Sequence, residues 1–315
     1  MKRVEHYVTL FDSHFLPQGL ALHASLSRHA GDFVLWVLCM DERCQGALEA
    51  LNLPTIRTIA LRDVESPELL RAKTDRTRGE YCWTITCFTP DFVFKRDASI
   101  QRVTYVDADI FLLKSPEAIF CEFEESGKSV LITDHAYDAQ YDQSSTSGKY
   151  CVQFMIFERG RSAEVLDWWQ QRCLEWCYAR VEDGKFGDQK YLDDWPVRFG
   201  ASVHVLHQID AFLAPWNARR FPYSAGICWH FHGLRILPNS KVLLHGPYSV
   251  PDVVHRMIYA PYIHELKRAQ EVLGGSVVQA RPRSRFVSLW KALRSTAGKL
   301  LRDIDNFGPI RNFPE

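Results

Sequence analysis

The sequence predicts an α/β fold in which helices cover a mostly parallel β-sheet. Over residues 1–160, short apolar runs alternate with stretches of helical periodicity, a pattern typical of strands joined by crossover helices. Aspartates directly follow several of these runs, and open α/β sheets bind ligands beyond the carboxyl ends of their strands. The first functional candidates are therefore Asp12, Asp41, Asp107 and Asp134.

Each predicted element rests on its own pattern. The apolar runs predict strands at residues 7–11, 33–38, 55–60, 102–106, 129–133 and 152–157. Apolar residues at helical spacing predict helices at residues 16–28, 42–51, 81–95 and 162–178, and Ser162 is the expected N-cap of the last. Another helix is expected to start near Gly187 and to end before Pro196. Residues 203–251, rich in Trp, His, Pro and Gly, predict short strands and loops.

The C-terminal segment differs in composition from the body of the chain. From Arg281 it carries seven basic residues before its first acid, Asp303, and Phe286, Leu289 and Trp290 begin an apolar stripe at helical spacing. We therefore separate a body, residues 1–280, from a basic amphipathic helical tail, residues 281–315. Two interpretations stay open: residues 281–302 lie on an anionic membrane surface, or the helix packs on the body with its basic face in solvent.

The composition excludes some classes of protein and suggests a compartment. The 315 residues include 38 Lys+Arg, 38 Asp+Glu and 46% hydrophobic residues, which excludes disorder as the main state and gives no overall attraction to nucleic acid. The longest apolar stretch, residues 33–40, is far shorter than the roughly 20 residues of a membrane span. The N-terminus lacks the apolar core of a signal peptide. We expect a cytoplasmic protein, or one peripheral to the cytosolic face of a membrane.

The nine cysteines fit a reducing compartment. They are odd in number and lie mostly in hydrophobic runs, so buried thiols are expected rather than disulfides; examples are Cys39, Cys87, Cys121, Cys151 and Cys228. Cys173 and Cys177 have the spacing of half a zinc site, but no second pair follows, and packing is the favoured interpretation.

Two aspartates one residue apart form the sharpest local feature. Asp107 and Asp109 lie between two apolar runs, at the end of a predicted strand. Two half-buried carboxylates repel each other unless a cation or hydrogen-bond donors compensate. A hard divalent ion, Mg²⁺ or Mn²⁺, suits such oxygen ligands and would in turn bind a diphosphate. The similar pair Asp303 and Asp305 lies in polar surroundings, where simple solvation is expected.

This pair resembles the Asp-x-Asp motif of GT-A glycosyltransferases, and further motifs between Tyr7 and Gly246 resemble glycosyltransferase family 8 and its bacterial relatives. The segment from Thr9 to Phe15 is similar to the first-strand motif that holds the uracil and ribose of a UDP-sugar. The resemblance implies that Thr9 lies in the donor site, Asp12 binds the base, His14 binds the ribose and Phe15 stacks on the uracil.

Later segments resemble the rest of the donor site in the same order. Arg76 and Arg78 stand where relatives have an arginine that reaches the donor phosphates or sugar, and an arginine fits phosphate geometry bidentately. Asp188 and Gln189 resemble an Asp-Gln motif that faces the donor sugar near the reacting carbon.

The segment from Trp229 to Gly233 resembles the His-x-x-Gly motif of the same family. The resemblance implies that His230 is the third protein ligand of the metal and that Gly233 lets the backbone approach the pyrophosphate. Ile236 replaces the lysine that relatives carry there, and Arg235 and Lys241 are the candidates to substitute for it.

Two more segments compare less directly with the family. Cys151 and Gln153 stand where relatives often have Asn-x-Gly, so the resemblance supports no sugar contact there. Trp216 and Asn217 resemble a loop that lines the substrate, although packing is the commoner role of an aromatic residue beside a proline.

The resemblance implies a GT-A catalytic domain over residues 1–280, with a nucleotide-binding half (1–160) and an acceptor- or sugar-side half (161–250). Its expected reaction moves a hexose from a UDP-sugar to a hydroxyl of a glycan or glycolipid, with retention at the anomeric carbon. Mn²⁺ or Mg²⁺ would be bound by Asp107, Asp109 and His230, while Arg78, Asp188 and Gln189 act on the donor.

Three alternatives remain open. One is an inverting enzyme in which Asp134 or Asp188 is the base. Another is a catalytically degenerate protein that binds a sugar nucleotide without turnover. The third is a nucleotidyltransferase, against which the absence of a Gly-rich phosphate loop near the N-terminus counts.

Overall fold

The structure is a computed structural model that describes residues 4–237, 241–274 and 310–312. A central seven-stranded sheet has the strand order β3-β2-β1-β4-β7-β6-β8. Its strands are β1 (Glu5–Phe11), β2 (Phe33–Cys39), β3 (Ile56–Ala60), β4 (Arg102–Val106), β6 (Val130–Asp134), β7 (Tyr150–Glu158) and β8 (Val203–Val205). Two three-stranded sheets contain β5 (Ile110–Leu112), β9 (Phe212–Leu213) and β10 (Cys228–His230), and β11 (Arg235–Leu237), β12 (Lys241–Leu243) and β13 (Ile310–Asn312).

Helices connect and cover these strands. In chain order they are α1 (Leu16–His29), α2 (Glu42–Leu51), α3 (Pro67–Lys73), α4 (Arg78–Thr86), α5 (Thr89–Arg96), α6 (Glu117–Ser126), α7 (Ser144–Ser147), α8 (Ala163–Glu175), α9 (Trp195–Arg198), α10 (Asp252–Val254) and α11 (Ala260–Val272). Single 3₁₀ turns lie at Leu61–Asp63 and Ala139–Tyr141, a longer 3₁₀ helix at Gln189–Asp194, and a π-helical turn at His255–Tyr259 joins α10 to α11.

The prediction of a mostly parallel sheet is confirmed. Within the seven-stranded sheet β7 alone runs against its neighbours, and β3, β2, β1 and β4 are parallel, as are β6 and β8. The carboxyl ends of β1, β2 and β4 therefore meet at one edge of the sheet. Because β7 is reversed, its amino-terminal half reaches the same edge, where the Asp107 amide donates to the Gln153 carbonyl at 3.0 Å.

Both faces of the sheet are buried, as a parallel sheet covered by helices requires. Neighbouring β1 residues enter different clusters: Tyr7 packs with α1 and α6, and Val8 packs with α4, α5 and α8. Gly19 lets α1 approach β1 closely, since a Cβ there would lie 2.3 Å from Phe11 Cζ. The close approach places the start of α1 against the end of β1.

The predicted helix at 81–95 is wrong in two respects. It begins earlier, at Arg78, because Thr77 and Glu80 form a reciprocal capping box. It is also two helices, since α4 stops at Thr86 and α5 restarts with Pro90 in its first turn, where a proline costs no helical hydrogen bond.

The two predicted helices after residue 160 also need correction. The first, α8, ends at Glu175, and Ser162 does not cap it with its side chain, because the Ser162 hydroxyl donates to the Glu158 carbonyl at 2.7 Å. The second does not end before Pro196. A 3₁₀ helix passes directly into α9, whose first turn contains Pro196.

All nine cysteines are free thiols. The expectation of burial is wrong for Cys121, which is exposed on α6, and Cys82 is only partly buried. Among the described residues, neither Cys173 nor Cys177 belongs to a group of three side chains that could hold a metal ion.

The predicted tail helix at 281–302 lies outside the described residues. Of the tail, the structure describes 310–312, which form β13 and pair with β12 in antiparallel register. Within the described ranges, every helix is too short or too polar to cross a membrane.

Candidate metal and nucleotide site

Asp107, Asp109 and His230 converge at the carboxyl edge of the main sheet. Asp107 follows β4, and Asp109 immediately precedes β5, whose Ile110 is paired with His230 of β10. The His230 Nε2 atom lies 3.2 Å from Asp109 Oδ1 and 3.8 Å from Asp107 Oδ2. One ligand-type atom from each residue falls within 4.8 Å of the others, so the three can reach one ion.

Buried neighbours hold this cluster in place. The Tyr105 hydroxyl donates to Asp107 Oδ1 at 2.7 Å. On the other side, the Gln153 Oε1 atom lies 3.0 Å from His230 Nδ1, and Gln153 Nε2 donates to the Thr133 hydroxyl at 3.3 Å. A carbonyl oxygen can only accept, so Gln153 holds the proton of His230 on Nδ1 and leaves Nε2 directed at the aspartates.

The charges of the cluster depend on one another. Burial raises the pKa of Asp107, with repulsion from Asp109 adding to it and His230 opposing it. Burial acts the same way on Asp109, but the adjacent His230 outweighs it and lowers the pKa of Asp109 to about 2. Burial disfavours a charged His230, yet the two carboxylates prevail and raise its pKa well above the usual value.

The donor chemistry of this cluster suits a cation. In the free protein the proton on His230 supplies the positive charge between two half-buried carboxylates. Two carboxylate oxygens and one imidazole nitrogen are a donor set that Mn²⁺ and Mg²⁺ accept, with water or substrate oxygens completing the shell. The residues present therefore fit a divalent ion.

A second charged group lies where β1 and β2 end. Arg78 Nε contacts Asp12 Oδ2 at 2.9 Å, and Arg78 Nη2 contacts Asp41 Oδ2 at 2.6 Å. Asp41 also caps α2 by accepting the Cys44 amide at 2.7 Å, a cap worth about 1 kcal/mol. The amide of His14 donates to Asp12 Oδ1 at 2.8 Å. Burial opposes the ionisation of Asp41, but hydrogen bonds from the Cys44 amide, from the amide and hydroxyl of Ser13 and from Arg78 outweigh it and lower the pKa of Asp41.

Other residues of the predicted nucleotide site lie around this edge. The Arg235 guanidinium lies over the Phe15 ring at 5.3 Å, so the two residues already form a stack. Thr9 is fully buried in β1, and its hydroxyl has no hydrogen-bond partner among the described residues. Gly233 has φ +82°, a conformation that favours glycine, beside the backbone of His245.

Arg76 lies apart from this group. Its Nη2 donates to the Leu174 carbonyl at the end of α8, and its guanidinium stacks on Tyr178. Of the two candidate arginines, Arg78 is thus the one at the edge of the sheet.

Asp188 directly precedes the 3₁₀ helix that begins at Gln189 and packs beside β7. Asp188 is 3% exposed, and its Oδ2 atom has no hydrogen-bond partner among the described residues. Burial, with a smaller contribution from the charge of Asp107, raises the pKa of Asp188 to about 8. Gln189 Nε2 donates to the Ser147 carbonyl at 2.7 Å, which ties this turn to α7.

Asn217 and Trp216 differ in their surroundings. Asn217 is fully buried and bonds the Ala214 amide and the carbonyls of Phe212 and His135, so it fixes a loop and does not line a cleft. Trp216 packs edge-on against His230 and His232, with ring centroids 5.3 and 5.4 Å away. It belongs to an aromatic group next to the metal cluster, joined by Tyr137 and Tyr248.

The structure also gives Gln153 a role that the sequence motifs did not indicate. Gln153 is 1% exposed and contacts His230 across 77 residues of sequence. No local signal marks it, because its role depends on the pairing of β7 with β4.

Comparisons with known proteins agree with this architecture. No protein-family model matches the chain. It is 30% identical over 285 residues to the uncharacterized protein YfnD of Bacillus subtilis (strain 168). The match covers 84% of this chain and 89% of YfnD. The chain belongs to the YfnD family.

Solved structures identify the fold of this YfnD-family chain. The glycosyltransferase GlyE of Streptococcus pneumoniae TIGR4 matches 87% of the chain at 15% identity, with a TM-score of 0.56. The bifunctional glycosyltransferase WbbM matches 86% at 12% identity, with a TM-score of 0.53. The matches span 63% of GlyE and 51% of WbbM. The chain therefore has the GT-A fold that its Asp-x-Asp motif predicts, and the link to family 8 stays a prediction.

Proposed function

We propose that this chain is a metal-dependent glycosyltransferase that moves a hexose from a UDP-sugar to a hydroxyl of a glycan or glycolipid. The observation that carries the proposal is the convergence of Asp107, Asp109 and His230 at the carboxyl edge of a GT-A sheet. Two carboxylates are brought together there at an electrostatic cost, and a bound cation would remove that cost.

The nucleotide would lie over the ends of β1 and β2. Asp12 and His14 offer polar contacts for the base and ribose, and Phe15 offers a ring face. Arg78 uses two of its five N–H donors on Asp12 and Asp41, so three remain for the donor phosphates. Arg235, which lies on Phe15, is the better of the two candidates to replace the missing lysine.

At the reacting centre each group has a separate task. A bound Mn²⁺ or Mg²⁺ would supply positive charge against the departing diphosphate. Asp107, Asp109 and His230 hold the position of that charge, and Gly233 lets the backbone approach the diphosphate. Asp188, whose pKa burial raises to about 8, offers a hydrogen bond to a donor hydroxyl, and Gln189 lies beside it.

The family resemblance supports retention at the anomeric carbon. In that reaction the acceptor hydroxyl attacks from the side of the leaving group, and the departing phosphate takes the acceptor proton. No protein carboxylate is needed as a nucleophile.

An aromatic group supports a glycan acceptor. Tyr137 and Tyr248 are half-buried and pack around Trp216, next to the metal cluster. Aromatic rings bury large apolar faces while their polar atoms stay available, which suits the apolar faces and hydroxyls of a sugar ring. Binding of residues 281–302 to an anionic membrane, which would bring the enzyme to a glycolipid, belongs to the same proposal.

The deciding experiment is calorimetric titration of the purified protein with UDP, with and without Mn²⁺. We expect Mn²⁺-dependent UDP binding in the wild type. In Asp107→Asn/Asp109→Asn the affinity should fall by more than about 100-fold, because the loss of metal ligands costs more affinity than the loss of the residues that orient them. Asp303→Asn/Asp305→Asn removes a pair of the same spacing and is the matched control.

Each outcome has a distinct meaning. Equal UDP binding in the Asp107/Asp109 variant and the control would contradict the metal assignment, and absence of UDP binding in the wild type would contradict the donor. If UDP binds as expected, a panel of UDP-sugars is tested for hydrolysis. UDP binding without turnover of any UDP-sugar would favour a degenerate nucleotide-binding protein.

A further inference from the structure

A second group of metal-ligand side chains lies away from the proposed donor site. Glu122 is on α6, His204 is on β8, and His207 follows β8. The Glu122 Oε1 atom is 2.7 Å from His204 Nε2 and 3.4 Å from His207 Nδ1. One ligand-type atom of each residue lies within 4.8 Å of the others, as in the Asp107 cluster.

Strand pairing and one contact with the Glu122 side chain hold the backbone around this group. Strand β8 is anchored by its parallel pairing with β6, which continues to the bond from the Leu206 amide to the Ile132 carbonyl at 3.0 Å. The His207 amide then donates to Glu122 Oε1 at 2.7 Å. The carboxylate is thus held at the turn where the chain leaves the sheet, and both imidazoles are brought to it.

The exposure of the three residues suits a site at the protein surface. The side chains of His204 and Glu122 are 10% and 23% exposed, so both are largely held by packing. The His207 side chain is 82% exposed and can move to complete a coordination shell. The group is therefore open to solvent on the His207 side.

The donor set differs in kind from that of the proposed catalytic cluster. Two imidazoles and one carboxylate suit a zinc-like ion, whereas two carboxylates and one imidazole suit Mn²⁺ or Mg²⁺. Metal–ligand bonds of about 2.0–2.2 Å place the ligand atoms of tetrahedral zinc about 3.4 Å apart. The Glu122–His207 spacing already fits, and the shorter Glu122–His204 spacing opens by a small rotation of the carboxylate.

We propose that Glu122, His204 and His207 bind a zinc-like divalent transition-metal ion. The ion would clamp α6 to the segment after β8. That segment continues into β9, which pairs with the β10 strand that carries His230. The site would stabilise the junction between α6 and β8, and its existence does not depend on the proposed function.

The test is titration of chelator-treated protein with Zn²⁺, followed by calorimetry and by thermal unfolding. It is carried out in the Asp107→Asn/Asp109→Asn background, so that the other cluster does not compete. We expect binding of one Zn²⁺ and a higher melting temperature with Zn²⁺. His207→Ala should lose both, because bound ligands stabilise only the folded state they bind.

Two further readouts sharpen this result. His264→Ala, which removes an exposed histidine on α11, is the matched control and should keep both effects. Co²⁺ bound in place of Zn²⁺ should give the intense visible absorption of a tetrahedral site, and Glu122→Gln should weaken it.

Zn²⁺ binding and a melting shift that survive in His207→Ala would overturn the proposal, as would the absence of Zn²⁺ binding in the parent. Because His207 is mostly exposed, loss of folding does not confound its replacement. With both Asp107 and Asp109 intact, His207→Ala should bind UDP with Mn²⁺ as the wild type does. UDP binding that fails in both proteins would contradict the proposed function and leave the zinc result unchanged.

Discussion

Replacement of Gln153 by leucine should weaken divalent-ion binding while the protein stays folded. Gln153 is 1% exposed; it accepts from His230 Nδ1 at 3.0 Å and donates to the Thr133 hydroxyl at 3.3 Å. Leucine has a similar size but leaves the His230 proton without its acceptor. The imidazole can then rotate, or its proton can move to Nε2. Either change removes the lone pair that faces the aspartates.

The expected loss of metal affinity follows from the role of Gln153, which orients a metal-binding histidine and is not itself a ligand. Loss of a hydrogen bond that orients a ligating histidine costs about 10–100-fold in metal affinity, which equals about 1.4–2.7 kcal/mol. Leaving a buried donor unpaired costs about 1–3 kcal/mol of folding free energy. A domain of this size tolerates that loss, so the variant remains testable.

The assay is calorimetric titration with Mn²⁺ at neutral pH, alone and with UDP, on protein whose folding is checked by thermal unfolding. Thr133→Val is the matched control, since it removes the outer hydrogen bond of Gln153 and leaves the contact with His230 in place. It should reduce Mn²⁺ affinity less than Gln153→Leu does. A folded Gln153→Leu protein that binds Mn²⁺ as tightly as the wild type would refute the reasoning.

Two further predictions concern stability. The pKa of Asp188 is raised to about 8, against about 3.9 in an unfolded chain, so the free energy of unfolding of the metal-free protein should fall as pH rises from about 4 to about 8. In urea denaturation, the free energy of unfolding of Asp188→Asn should fall less between pH 5 and pH 8 than that of the wild type. Identical falls in the two proteins would contradict the raised pKa of Asp188. Gly19→Ala should destabilise by about 1–3 kcal/mol through its clash with Phe11. Gly46→Ala, in open space on α2, should stabilise the protein by about 0.5–1 kcal/mol. Urea denaturation measures both glycine variants, and equal changes in their free energies of unfolding would disprove the packing argument.

The sequence by itself determined the elements and the edge at which chemistry is expected. Strand and helix periods are local signals, because they reflect which residues of one short segment face the core. An aspartate directly after an apolar run is equally local, which is why Asp12, Asp41, Asp107 and Asp134 could be picked out before any pairing was known. Asp109 was indicated by its spacing from Asp107. Errors arose at two helix boundaries, the split between α4 and α5 and the passage of the 3₁₀ helix into α9 just before Pro196. Both boundaries depend on packing as well as on propensity.

Tertiary structure alone decided which side chains meet. The pairing of β5 with β10 brings His230 to the aspartates, and the reversed direction of β7 brings Gln153 to His230. The contact of Glu122 with His204 likewise joins positions 82 residues apart. Such contacts are set by strand pairing and by the burial of both faces of the sheet. No single segment carries that information, because the free energy that selects the pairing is shared over the whole core.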